Sequence, residues 1–276
     1  MKSEAPTAGE FAEHYGVSLT EASDYLAKVA DFDKEEQDCL SEIFAVAEGP
    51  VIELGAGQGE FTAELLERYI KPGQKLYAVE RLETAAAKLR EAIADPRLEV
   101  LNSDSTSLPL PDGTAGLVVS RAALHDFVSD DGDAVKALRG CVRALAPGGT
   151  FLVYDKVTDG FGKVERESAE GRMERINVQL ASLEGKRCWG LHGMTDYVSL
   201  LTELGLRGIQ HKMLARPDMP GYVGHIRRNL EQARPRYIAR WGDGVNEILD
   251  SFAREIEGIP NRALPLAMVW GRKGSA

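Results

Sequence analysis

Seven short apolar runs punctuate the chain, at 50–54 (PVIEL), 75–79 (KLYAV), 98–102 (LEVLN), 116–120 (GLVVS), 150–154 (TFLVY), 207–213 (RGIQHKM) and 264–270 (LPLAMVW). Their length is that of buried strands, and each of the first five precedes a helical stretch or a loop marked by glycine or proline. Glu60 to Ile70 sets Phe61, Leu65, Leu66 and Tyr69 on one helical face, and Leu82 to Ala94 and Asp133 to Leu145 also have helical spacing. Ala146-Pro147-Gly148-Gly149 closes the last of these with a proline stop and a glycine turn. Strands alternating with helices predict an α/β fold whose mainly parallel sheet carries helices on both faces.

Two segments stand outside this alternation. Residues 8–48 place Phe11, Tyr15, Tyr25, Leu26, Val29, Phe32, Leu40, Ile43 and Phe44 at helical spacings before the first strand, with Ser18 and Ser23 as candidate caps. Tyr222 to Glu257 reads as two helices broken near Gly242-Asp243-Gly244, between the last two strands. The expected organisation is an N-terminal helical lid over 1–48 and a core over 49–276 with a helical insertion at about 217–262. That insertion is too long for an ordinary loop. The chain shows no internal repeat and no low-complexity tract.

Composition narrows the partners. With 276 residues, 43% hydrophobic and 28% charged, the chain can bury one substantial core. No apolar stretch approaches the ~18 residues of a spanning helix, and Met1 to Pro6 lacks a signal-peptide core, so a cytoplasmic protein without a membrane partner is expected. Lysine and arginine total 33 against 43 acidic residues, and a net charge of −10 opposes a nucleic-acid partner. Arg227, Arg228, Arg234, Arg236 and Arg240 gather late in the chain with few acidic neighbours, forming either an anion-binding patch or a solvated helix face. Cys39, Cys141 and Cys188 are odd in number and far apart, which argues against disulfides and a zinc site.

The sharpest chemical signal is Val51-Ile-Glu-Leu-Gly-Ala-Gly-Gln-Gly59, an apolar run ending in an acid and then glycine at every second position. It predicts strand, tight turn and helix, with glycine letting a ligand approach main-chain N–H groups. A dinucleotide fingerprint would need a third glycine where Glu60 stands, and a carboxylate there would compete with a pyrophosphate for the helix N-terminus. A phosphate-binding G-x-x-x-x-G-K-[S/T] loop is also absent.

Glu53-x-Gly55-x-Gly57-x-Gly59 instead resembles the first motif of the class I S-adenosylmethionine-dependent methyltransferases, and the order of motifs over 50–156 carries the resemblance further. It implies a Rossmann-like seven-stranded sheet with S-adenosylmethionine as cofactor. Leu108-Pro109-Leu110-Pro111-Asp112-Gly113 resembles the loop before strand four in the small-molecule branch. By that resemblance Glu80, ending the second strand, accepts the ribose hydroxyls and Asp104, after the third, accepts from the adenine amino group. Glu53 meets turn N–H groups and the methionine ammonium. Gly55, Ala56, Gly57, Gly59, Arg81, Ser105 and Ser120 complete the cofactor set.

The implied reaction is methyl transfer to a small, partly apolar acceptor. His125, just beyond the fourth strand, is the candidate acceptor or base, with Asp126 beside it; packing or cofactor contact is the other role open to it. Tyr15, Asp126, Tyr154, Trp189 and His192 are the candidate substrate-binding residues. Ser120-Arg121-Ala122-Ala123 lacks the [N/D/S]-P-P-[Y/F/W] element of enzymes acting on base amino groups. Metal dependence of the catechol type is not expected, since Asp126 and Asp155 lack a convincing third ligand. Other chemistry on the same cofactor, a non-catalytic regulatory protein, and a homodimer all stay open.

Overall fold

The computed structural model describes residues 6–129, 133–260 and 262–274. Its strands are β1 (Val51–Leu54), β2 (Leu76–Glu80), β3 (Leu98–Asn102), β4 (Ala115–Arg121), β5 (Val128–Ser129), β6 (Leu145–Lys156), β7 (Arg187–Cys188), β8 (Leu206–Leu214) and β9 (Leu266–Lys273). The α-helices are α1 (Ala8–Tyr15), α2 (Leu19–Ala45), α3 (Glu60–Arg68), α4 (Glu83–Ala92), α5 (Ala134–Ala144), α6 (Val164–Glu167), α7 (Ala169–Leu183), α8 (Met194–Glu203), α9 (Tyr222–Trp241) and α10 (Val245–Glu255). Seven strands form one sheet in the order β3-β2-β1-β4-β6-β9-β8, and β5 pairs with β7 in a small second sheet. The pairs from β3 to β6 are parallel, and β9 runs antiparallel to both β6 and β8. The order reverses between β1 and β4, so the carboxyl ends of these two strands flank the crevice where open α/β sheets bind ligands.

Strand alternation divides the core between two faces. Ile52, Leu54, Val118, Phe151, Val153 and Val269 pack with Leu138 and Cys141 of α5 and Tyr197, Leu200 and Leu201 of α8. Val51, Leu117, Val119, Leu152, Tyr154 and Met268 pack with Leu40, Ile43 and Phe44 of α2 and Phe61, Leu65 and Leu66 of α3. The C-terminal half of α2 is therefore part of the sheet's core.

Local chemistry sets the helix boundaries. Ser18 caps α2 in a reciprocal box with Glu21, which satisfies two backbone donors, whereas Ser23 lies inside α2 and caps nothing. Asp133 caps α5 through Lys136 N–H. Ala146-Pro147-Gly148-Gly149 is the lead-in of β6 rather than a separate turn, and its pairing with β4 slips between Ala115 and Leu117. The segment between β8 and β9 holds α9 and α10, broken at Gly242 to Gly244, and these helices share a core with α7 through Ile176, Leu180, Ile226, Leu230, Leu249 and Phe252.

The late arginines are used within this helical layer. Arg227 pairs with Glu257, Arg234 with Glu231 and Asp250, and Arg240 with Glu184, while Arg228 donates to the His14 carbonyl. Their acidic partners come largely from other helices, which local sequence does not reveal. Ion pairs thus occupy three of the five arginines, which supports the solvated-face reading.

Candidate active site

A cavity of about 640 Å³ opens where β1, β2, β3 and β4 end, and its lining includes Gly55, Gly57, Glu80, Asp104, Asp126 and Trp189. Gly57 has φ +57°, and a Cβ built there meets no heavy atom within 4 Å, so the missing side chain leaves the backbone bare on the cavity wall. Gly55 has φ +71°, and a Cβ there would come within 2.6 Å of Ala123 Cβ, so glycine is needed to let the turn pass the end of β4.

The N–H groups of Gly55, Ala56 and Gly57 are spent internally, contrary to the expectation that they face a ligand. Gly55 and Ala56 both donate to the Val79 carbonyl, at 2.9 and 3.0 Å, and Gly57 donates to Glu80 Oε2 at 2.9 Å. Glu80 Oε1 accepts from Leu82 N–H at 2.7 Å, so one carboxylate pins the turn after β1 to the turn after β2. Asp104 accepts from Thr106 N–H through Oδ1 and opens a 3-10 turn over Ser105–Ser107. Arg81 and Ser105 also line the cavity.

Four of the expected cofactor residues lie off the cavity wall. Ala56 is buried. Gly59 begins α3, and a Cβ there would collide with Leu89 of α4, so its glycine serves helix packing. Ser120 is buried with no hydrogen-bond partner for its hydroxyl among the described residues. Among the described residues, Glu53 meets no turn N–H. Its Oε2 accepts from Thr62 Oγ1 of α3 at 2.7 Å, and burial pushes its pKa up to about 7.

A carboxyl group whose folded pKa is raised contributes stability that is complete below its unfolded value, near 4.5, and is lost as pH rises through about 7. Glu53→Gln removes that loss. Urea unfolding of the ligand-free protein across this window is expected to show the variant gaining ~3 kcal/mol on wild type, then running parallel above it. A pH-independent difference would refute the assignment.

The candidate acceptor residues separate into three places. Asp126 and Trp189 line the main cavity, as does Phe127. His192 stacks on Trp189 at 4.1 Å, and its Nε2 lies 3.0 Å from the Trp189 carbonyl oxygen. Tyr15 packs away from the cavity, against Phe11 and His225. Tyr154 is buried on the α2 face of the sheet and donates to Glu36 Oε1 at 2.6 Å, so strand parity removes it from the acceptor side.

His125 is likewise turned inward and lies outside the cavity lining. Its Nδ1 sits 2.6 Å from Asp155 Oδ1, and its backbone N–H donates to Asp155 Oδ2 at 3.0 Å. Burial would lower its pKa, but the carboxylates of Asp155, Asp126 and Glu174 outweigh it and raise the value to about 9. A histidine held in the protonated state is a poor proton acceptor at neutral pH, so the base role is not what this geometry favours.

The sequence reading missed Glu170 and Glu174. Both are buried on α7, where Glu174 pairs with Lys156 at 2.5 Å and Glu170 with Arg216 at 2.9 Å. Glu170 and Arg216 border a second cavity of about 150 Å³ that Tyr25, Phe32, Met219 and Tyr222 also line. Local sequence gives no signal for them, because α7 also carries Arg172, Arg175, Asn177 and Gln179, and nothing near in sequence marks these two acids as buried.

Comparison with known proteins gives concordant results. The methyltransferase domain family matches residues 52–153. An uncharacterized methyltransferase of Geobacillus sp. (strain WCH70) is 29% identical over 131 residues, covering 45% of this chain and 59% of that protein. The chain spans 39 to 59% of the length of the first curated relatives it matches. Among solved structures, the [4+2]-cyclase SpnF aligns with TM-score 0.58 and 17% identity over 88% of this chain and 81% of its own. Phosphoethanolamine N-methyltransferase 2 of Haemonchus contortus, solved with S-adenosyl-L-methionine, aligns with TM-score 0.58 and 16% identity over 87% of this chain and 53% of that one. At such identities the structural likeness is one of fold.

Proposed function

The chain belongs to the class I S-adenosylmethionine-dependent methyltransferases, and on that premise we propose that its main cavity binds the cofactor for methyl transfer to a small, partly apolar acceptor. The supporting observation is convergence: the bare backbone at Gly57 and the carboxylates of Glu80 and Asp104 all border one cavity at the strand carboxyl ends. These groups suit the ligand. An open glycine admits an aminoacyl chain, and each carboxylate has lone pairs beyond those its backbone partners use. Glu80 would accept the ribose hydroxyls and Asp104 the adenine amino group.

When bound, the sulfonium supplies an electrophilic methyl carbon, and transfer needs sulfur, methyl and acceptor in line. The chain's contribution is positioning. Trp189 and Phe127 offer apolar walls beside Asp126, which suits an acceptor that is partly apolar with one polar group. The relatives include an O-methyltransferase of Gibberella fujikuroi and a C-methyltransferase of Pasteurella multocida, so the atom methylated is left to experiment.

Calorimetry with S-adenosylmethionine and S-adenosylhomocysteine is expected to give saturable binding of both, and its absence at millimolar ligand would end this reading. Mass spectrometry of acceptor pools then distinguishes reactions. A product heavier by one methylene unit supports transfer, whereas binding without such a product points to other chemistry on the cofactor or to a regulatory protein.

A further inference from the structure

We propose that His125, Asp126 and Glu174 form a binding site for a first-row divalent transition-metal ion beside the main cavity. One ligand atom from each lies within 4.8 Å of the others, and among the described residues this is the group so arranged. His125 Nε2 stands 3.5 Å from Glu174 Oε2 and 3.6 Å from Asp126 Oδ2. Two ligands each ~2.1 Å from a tetrahedral ion are ~3.4 Å apart, so both separations suit a shared ion.

The surroundings carry the second half of the argument. Metal-bound histidines present one ring nitrogen to the ion and give the other N–H to a carboxylate, which fixes the tautomer and ring orientation. Asp155 occupies that position, 2.6 Å from Nδ1, and is itself held by the N–H groups of His125 and Lys156. Lys156 binds Glu174 through Oε1 at 2.5 Å, and Oε2, which accepts from Asn177 Nδ2 at 3.1 Å, keeps a further lone pair on the side of the histidine, 3.5 Å away. Metal binding takes the proton from His125, and Asp126, Asp155, Glu170 and Glu174 then stand against Lys156 and Arg216 alone, an excess of two negative charges that a dication would balance.

The donor set selects the ion. One imidazole and two carboxylates favour zinc, manganese, iron(II) or cobalt(II) over calcium and magnesium, which prefer oxygen ligands alone. Cys188 is turned away, donating its thiol to the His125 carbonyl. Asp126 also lines the main cavity, so the site borders the space assigned to the acceptor.

The test is titration of the full, EDTA-stripped chain with Co²⁺, read by visible absorption, and with Zn²⁺ by calorimetry. One equivalent is expected to bind, with Asp126→Asn and Glu174→Gln each weakening it at least tenfold. Asp155→Asn should weaken binding about 10- to 100-fold through the histidine it orients. Asp126 is exposed, so its variant keeps the test valid even where buried substitutions unfold the chain. No saturable binding by wild type, or affinity unchanged in both Asp126→Asn and folded Glu174→Gln, overturns the proposal, the latter as an adventitious surface ion only. S-adenosylhomocysteine binding, measured on the same samples, reports on the cofactor reading separately.

Discussion

Gly57→Val is expected to lower affinity for S-adenosylhomocysteine about a thousandfold, or ~4 kcal/mol, while the chain stays folded. At φ +57° a β-branched residue is forced out of its allowed conformations, and the left-handed region costs ordinary residues roughly 1–2 kcal/mol. Relieving that strain moves the N–H that Glu80 Oε2 now accepts at 2.9 Å, so the acid expected to hold the ribose is displaced along with the turn. Where the backbone does not relax, the new side chain projects into the cavity, since nothing of the protein lies within 4 Å of its Cβ. Gly73→Val is the control. Gly73 has φ +77° and open space around its Cβ but lies outside the cavity lining, so its variant should lose stability and keep affinity. Calorimetry on both proteins decides it, and near-wild-type binding by Gly57→Val would remove the turn from the site.

The legible part of this molecule is the part whose environment is one-sided or uniform. β1 and β4 are buried on both faces, so their sequences are near-continuous apolar runs, interrupted at Glu53 and closed by Ser120 and Arg121. The turn after β1 reads directly because Gly55 and Gly57 answer backbone demands that no other residue meets cheaply. Gly59, at φ +99°, answers the same backbone demand and also makes room for Leu89, a contact between α3 and α4 that no motif encodes. Tyr154 was readable by parity: Phe151 and Val153 face α5 while Leu152 and Tyr154 face α2, and counting along β6 separates it from Asp155. α7 hides for the opposite reason. It packs on α9 and α10 through Ile176 and Leu180, yet buries Glu170 and Glu174 for ion pairs with residues from β6 and the segment after β8, so its hydrophobic period is broken. His125 was identified as special by position, but the group that faces its Nε2 comes from 49 residues further along the chain, at Glu174.

Glu36→Ala is expected to destabilise the protein by about 3–4 kcal/mol, measured by urea unfolding, because it removes the shared acceptor that ties α2 to the sheet. Glu36 Oε1 receives Arg121 NH2 at 2.7 Å and the Tyr154 hydroxyl at 2.6 Å. Arg121 also lies over the Phe61 and Tyr154 rings, 4.8 and 5.5 Å from their centroids, so its charge is enclosed largely by apolar groups. After the substitution the nearest remaining carboxylate is Glu64 at 3.6 Å, and the Tyr154 hydroxyl loses its partner. Breaking one side of a buried ion pair costs ~3–5 kcal/mol, and the lower part of that range applies because Arg121 keeps 29% of its side chain exposed. Replacing both charges, as Glu36→Met with Arg121→Met, leaves no stranded ion and should recover much of the loss. A double variant as unstable as the sum of the singles would mean that the triad acts through geometry rather than charge. Recovery would instead trace the loss to the stranded charge, with the apolar contacts of Leu40, Ile43 and Phe44 still holding α2 on the sheet.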